Sequence, residues 1–159
     1  MSNRRNDQLS FQVLKKFRII YGSVRQHFRD VEKSCGISGS QLWILHEIAR
    51  EPGIGVTELA ERLSVHQSTC SQLVDKLVTG KLVNKERSME DQRRVGLRLT
   101  DAAEKILQNA PGPAEGILPE ALQSLPESVL IALDKSLIEV IGQLHVHDEK
   151  HADKPLADL

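Results

Sequence analysis

Apolar residues along the first third of the chain recur at helical spacing. Between residues 9 and 33 they fall at Leu14, Phe17, Ile20, Val24, Phe28 and Val31, in steps of three and four. At about 1.5 Å per residue this predicts a helix of about 36 Å. That is long for a small domain and suits a partner surface. Cys35-Gly36-Ile37 breaks the pattern, and Ser38 with Gln41 reads as a capping box. Leu42, Leu45, Ile48 and Ala49 form the next apolar face, which Pro52-Gly53 ends.

Thr57 is the expected cap of a short helix over 58–63, with Glu58 suited to its N-terminal dipole. A further helix is expected over 67–79, with Cys70, Leu73, Val74 and Leu77 inward and Gly80 as a left-handed stop. Two short β-type runs follow, 82–87 and 95–99, joined by the polar turn 88–94 as a hairpin. Thr100 caps the next predicted helix, which Pro111-Gly112-Pro113 interrupts. Helix is expected again over 114–122. Ser124 with Glu127 reads as a second capping box, and Leu130, Leu133, Leu137, Ile141 and Leu144 line the last helix.

The chain is thus expected to be mainly α with a small β-hairpin wing, a winged helix-turn-helix flanked by long N- and C-terminal helices. It reads as a single domain, 1–159. Within it, 8–35 and 101–145 are expected to be the long flanking helices, 38–100 the winged helix-turn-helix region and 146–159 a flexible tail.

Composition narrows the picture. The 159 residues are 40% apolar and 27% charged, ordinary for a globular domain, but only 3% aromatic, so the core is aliphatic. No run of about 18 apolar residues suggests a membrane span, and no signal-peptide pattern follows the polar N-terminus, so a cytoplasmic protein is expected. Two cysteines, Cys35 and Cys70, are too few for a disulfide framework. The net charge of −1 hides an asymmetry: residues 61–100 carry eight Lys/Arg against five Asp/Glu, residues 101–144 two against seven. A nearly neutral chain can therefore present a basic face to phosphate.

The order short helix, turn, second helix, glycine, strand, basic turn, strand matches the mechanics of DNA reading. The first helix braces the second, which enters the major groove N-terminus first. Gln67, Ser68, Thr69, Ser71 and Gln72 are small or polar residues there, and Lys76 lies one turn on to meet phosphate. In the wing, Arg93 and Arg94 can reach a minor groove, with Arg87 and other strand cations behind them. Asp91 is expected to pair with an arginine and fix its direction.

The runs Val56-Thr57-Glu58-Leu59-Ala60-Glu61-Arg62-Leu63, His66 to Leu77, Gly80-Lys81-Leu82-Val83, Asp91-Gln92-Arg93-Arg94 and Leu99-Thr100 resemble the multiple-antibiotic-resistance regulator (MarR) family. The match spans roughly 38–104. The resemblance implies a homodimer in which 8–35 and 101–145 are the dimerisation helices and 38–100 is the DNA-binding region, bound to a pseudo-palindromic operator, mostly as a repressor. It also implies release by a small phenolic or other organic anion, or, in some members, oxidant sensing through cysteine. Gln72 stands where arginine is frequent, Gly96 replaces a β-former, and Pro111-Gly112-Pro113 breaks a helix that is often continuous.

Tyr21, Arg25, Trp43 and His46 are the candidate effector-binding residues. Cys70 reads as core and Cys35 as the more exposed thiol. His145, His147 and His151 read as solvated rather than as metal ligands. His66 is either a phosphate donor or a turn residue. No metal or cofactor is expected. No Gly-x-Ser-x-Gly, Walker or His-Glu-x-x-His pattern suggests an enzyme. The alternative function is a winged-helix protein-interaction module that does not read DNA, for which Arg93 and Arg94 would have no use.

Overall fold

The computed structural model describes residues 2–145 and 147–159; the side chains of Ser2 and Asn3 are not described, and Met1 and Val146, the first position of the expected tail, lie outside the described residues. Among the described residues, seven α-helices and one hairpin follow in order: α1 Ser2–Cys35, α2 Gly39–Arg50, α3 Val56–Leu63, α4 Gln67–Thr79, β1 Val83–Arg87, β2 Val95–Leu99, α5 Asp101–Asn109, α6 Ile117–Gln123 and α7 Glu127–Gly142. Two 3-10 turns, Glu149–Asp153 and Leu156–Asp158, close the described chain. The fold is mainly helical with a two-stranded antiparallel wing, as the sequence pattern predicts.

The core lies where the inward stripes of α2, α3 and α4 meet the hairpin. Ile44, Leu45 and Ile48 pack with Leu59, Leu63, Leu73, Val74 and Leu77, and Val83, Leu97 and Ala103 close the cluster. Burying each large aliphatic side chain contributes about 1.5–3 kcal/mol. The three helices are therefore held as one body beneath the wing.

Caps set several boundaries. The Ser38–Gln41 capping box forms in full. The Thr100 hydroxyl accepts the Ala103 amide at 3.3 Å and donates to the Lys81 carbonyl at 2.9 Å, tying the start of α5 to the turn after α4. Thr100→Ala removes both bonds. It is expected to lower stability by about 1 kcal/mol, seen as a lower urea midpoint at unchanged slope.

Other expected boundaries are corrected. Gly55, not Thr57, is the N-cap of α3. The Thr57 hydroxyl instead accepts from Gln67 at 3.1 Å. Gly80 is not left-handed, with φ −73°; the positive φ falls on Lys81, at 59°. A Cβ at Gly80 would sit 3.3 Å from the Lys76 carbonyl, so close approach and not backbone conformation is what suits glycine there. The Ser124–Glu127 capping box does not form. Ser124 ends α6 and donates to the Ala121 carbonyl at 2.7 Å, while Pro126 takes the N-cap of α7.

Gly96 has a packing reason invisible in the sequence. The α2–α3 turn lies along β2 like a third strand: Gly53 N–H donates to Leu97 O at 2.8 Å, and Leu97 N–H to Ile54 O at 2.9 Å. A Cβ on Gly96 would fall 2.7 Å from the Gly53 carbonyl oxygen. The bare backbone lets turn and wing join.

Where a flexible tail is expected over 146–159, the structure places Pro155 in a buried position. The Ser40 hydroxyl donates to Asp158 at 3.0 Å, and the His66 amide donates to the Asp153 carbonyl at 3.0 Å. These contacts between segments far apart in sequence leave no local periodicity to read.

The amino-terminal half of α1 and most of α7 present apolar side chains outward. Phe11, Phe17, Ile19 and Ile20 on α1, and Val129, Ile131, Ile138 and Ile141 on α7, are all exposed. Among the described residues α7 has no buried side chain.

Candidate nucleic-acid interface

The start of α4 is built by His66. Its ring Nδ1 accepts the Ser68 amide at 3.2 Å and lies 2.7 Å from the Ser68 hydroxyl, so His66 is the N-cap. Histidine is an uncommon cap, and the sequence left its role open. Along α4, Ser68, Gln72 and Lys76 fall at i, i+4 and i+8 and are all exposed, while Cys70, Leu73, Val74 and Leu77 face inward. Thr69 and Ser71 are half-buried on the flanks. Gln67 is exposed, with its amide engaged by Thr57.

The support behind α4 is a cluster of charges. Glu47 on α2 is buried and meets Arg50 at 3.2 Å and Arg62 at 3.5 Å. Arg62, on α3, also pairs with Glu51, and with Glu58 at 2.6 Å. The bonds to Glu51 and Glu58 hold the Arg62 proton more firmly than usual. A buried carboxylate without partners would be costly, so Glu47 needs these guanidinium groups and fixes α3 against α2. That braces the helix that in turn supports α4.

The wing is aimed by backbone hydrogen bonds. Arg87 pairs with Val95 at the end of the strand register, and Ser88 N–H donates to Arg94 O at 2.9 Å. The Ser88 hydroxyl accepts the amides of Glu90 and Asp91 at 3.2 and 3.3 Å. Asp91 Oδ1 accepts the Arg93 amide at 3.0 Å, and Asp91 Oδ2 lies 3.9 Å from Arg94 Nε. The expected side-chain pairing of Asp91 with an arginine is thus loose. Its firmer bond is to the Arg93 backbone, which shapes the turn.

The cations of the wing and of α4 divide into two groups. Lys85 Nζ meets Asp75 Oδ1 of α4 at 2.7 Å, and Arg98 Nε meets Glu86 Oε2 at 2.7 Å. The first pair ties the wing to α4. Among the described residues, Arg87, Arg93, Lys76 and Lys81 make no ion pair within the chain and are exposed.

The candidate effector residues do not converge. Trp43 and His46 line an open cavity of about 510 Å³ with Glu47, Arg50, Arg62 and Glu115. Tyr21 and Arg25 are exposed on α1, the guanidinium 5.5 Å from the ring centroid. Cys70 is buried and its thiol is pushed up to about 11 by desolvation; partial burial also raises Cys35. Neither has the depressed pKa of a reactive thiolate. His145, His147 and His151 are exposed, with His147 Nδ1 3.2 Å from the Leu144 carbonyl. Among the described residues no helix is long and apolar enough to cross a membrane, and no group of three or more His, Cys, Asp or Glu could hold a metal.

A brace helix, an exposed helix of polar starts and a hairpin tied to it by Lys85–Asp75 define a winged helix-turn-helix. Residues 36–94 match the model of the MarR family. The chain is 22% identical to the HTH-type transcriptional repressor MdtR of Bacillus subtilis over 79% of this chain and 81% of that one. It is 26% identical to the HTH-type transcriptional regulator MgrA of Staphylococcus aureus over 94% and 97%. In fold it resembles a mutant MarR of E. coli complexed with operator DNA (TM-score 0.54, 21% identity, 82% of this chain and 96% of that one). It also resembles Staphylococcus aureus MarR in complex with salicylate and kanamycin (TM-score 0.52, 20% identity, 92% and 85%).

Proposed function

We propose that the chain is a DNA-binding transcription regulator, a repressor, acting as a homodimer on a pseudo-palindromic operator. Residues 38–100 are the DNA-binding region; 8–35 and 101–145 supply the dimer helices. Ser68, Gln72 and Lys76, flanked by Gln67, Thr69 and Ser71, face the major groove. Arg87, Arg93 and Arg94 reach along the adjacent backbone and minor groove, with Asp91 shaping the turn.

One observation carries this reading. The wing commits Lys85 and Arg98 to internal ion pairs but leaves Arg87 and Arg93 exposed and unpaired among the described residues, beside an exposed polar helix start. Such unpaired guanidinium groups suit phosphate and narrow-groove contact. The relatives named as transcriptional regulators, and the similarity to a MarR complexed with operator DNA, support it.

An effector that stacks on Trp43 is the proposed signal. The cavity there is bounded by Glu47, Glu51 and Glu115, while Arg62 is held by its own carboxylates. That field opposes an organic acid, so a neutral or cationic aromatic fits this site better than a salicylate-like anion. Arg50 and Arg62 offset two of the three carboxylates, which leaves the lining with a net charge of −1 with His46 neutral.

The test is a mobility-shift series on the DNA upstream of the chain's own coding sequence, across salt. The affinity should fall steeply with salt, with a log–log slope of about −0.9 per phosphate contacted. Absence of binding to any such duplex at low salt would return the protein-interaction module as the better reading.

A further inference from the structure

The chain's last residues run back over the domain that reads DNA. The two 3-10 turns, Glu149–Asp153 and Leu156–Asp158, join two distant places. At one end the Asp153 carbonyl accepts the backbone N–H of His66, the N-cap of α4, at 3.0 Å. At the other end Asp158 accepts the Ser40 hydroxyl at 3.0 Å, at the start of α2.

Between these anchors the segment fills an apolar groove. Pro155 is buried and Ala157 half-buried, beside Val24, Phe28, Trp43, Gly116 and Pro119. Gly39 makes the fit possible: a Cβ there would fall 3.3 Å from the Ala157 Cβ and 2.5 Å from a Phe28 ring carbon. The groove keeps only about 40 Å³ of unfilled space.

We propose that residues 148–159 are an intramolecular strap that competes with DNA for the start of the recognition helix. The proposal rests on the DNA-binding reading above. Its physical basis is that free N–H groups at a helix start are natural phosphate donors. The strap puts a carbonyl on one of them. It also brings an acidic stretch alongside, with Asp148, Glu149, Asp153 and Asp158 against Lys150 and Lys154. Most of the strap is exposed and only Pro155 is buried, so it can open without unfolding the core.

The full-length chain tests this with two variants. Ala157→Glu places a larger, charged side chain in the apolar groove that Gly39 and Phe28 help to line. It adds negative charge, so simple electrostatics predicts weaker DNA binding, whereas an unseated strap predicts tighter binding. One net hydrogen bond of about 1 kcal/mol corresponds to an affinity about fivefold higher on the upstream duplex. Hydrogen exchange on the free protein should show the His66 amide losing protection. The second variant joins Ser40→Cys to Asp158→Cys in a Cys35→Ser background. Oxidation should lock the strap and weaken binding, and reductant should restore it.

The strap is overturned by equal or weaker binding of Ala157→Glu with the His66 amide deprotected. Equal affinity of the oxidised and reduced lock also overturns it. If wild type and both variants all fail to bind DNA, the regulator reading itself falls, and with it the strap's competitor. The exchange data separate that failure from a strap that never seats on His66.

Discussion

Ile138→Glu is expected to split the protein into folded monomers and to lower operator affinity about 10²–10⁴-fold, the gain that linking two binding modules confers. Ile138 is 62% exposed on α7, among Ile131, Val140 and Ile141, while Phe11, Phe17 and Ile19 stand out from α1. Single exposed apolar residues are ordinary, but two helices lined with them present more apolar surface than a monomer in water tolerates. A second copy of the chain is the proposed cover. Ile138 is exposed and α7 has no buried side chain among the described residues, so the helical circular dichroism and the winged domain should survive a carboxylate there. Light scattering at micromolar concentration should give twice the chain mass for wild type and the chain mass for the variant. A wild-type monomer would remove the dimer from the proposal. The loss in DNA binding follows from geometry, since one winged domain reaches only one half-site.

The parts of the molecule legible in the sequence are those set by local periodicity. The inward stripe Cys70, Leu73, Val74 and Leu77 predicts α4 over the same residues that form it, Gln67–Thr79. The Ser38–Gln41 box and the Thr100 cap are local chemistry and form as expected. Most of what failed was set by contacts across the fold, and one miss was local. Thr57 reads as a cap until Gln67 takes its hydroxyl. Gly96 reads as a weak point in a strand until the α2–α3 turn is seen lying against it. Ser124 and Glu127 have capping-box spacing, but Pro126 between them takes the cap position.

The candidate site divides the same way. Exposed polar positions on α4 and the wing arginines follow from helix and hairpin spacing alone. The Lys85–Asp75 link, which fixes wing to helix, joins residues ten apart in different elements, and no spacing rule singles it out. The Glu47–Arg62 pair is hidden for a related reason: a glutamate on a helix face reads as solvated, and only the approach of α3 buries it. Trp43 and His46 share a cavity because they lie three apart on α2, whereas Tyr21 and Arg25 sit on an exposed stretch of α1 that does not line it.

Arg93→Ala is expected to weaken operator binding by about 10- to 100-fold, a loss of about 1–3 kcal/mol for a specific arginine contact. The thermal midpoint should not move, because no ion pair within the chain involves the Arg93 side chain among the described residues. Asp91 tells whether the turn aims that arginine. The Asp91 carboxylate faces the same DNA and repels phosphate, so charge alone predicts that Asp91→Ala tightens binding. If the bond from the Arg93 amide to Asp91 Oδ1 sets the direction of the guanidinium, Asp91→Ala weakens binding instead. A double-mutant cycle separates the two effects. In the Arg93→Ala background the aiming role is void, so Asp91→Ala should there be neutral or favourable. Equal effects of Asp91→Ala in both backgrounds would mean that the turn does not act through Arg93. Wild-type affinity in Arg93→Ala would remove the wing from the interface.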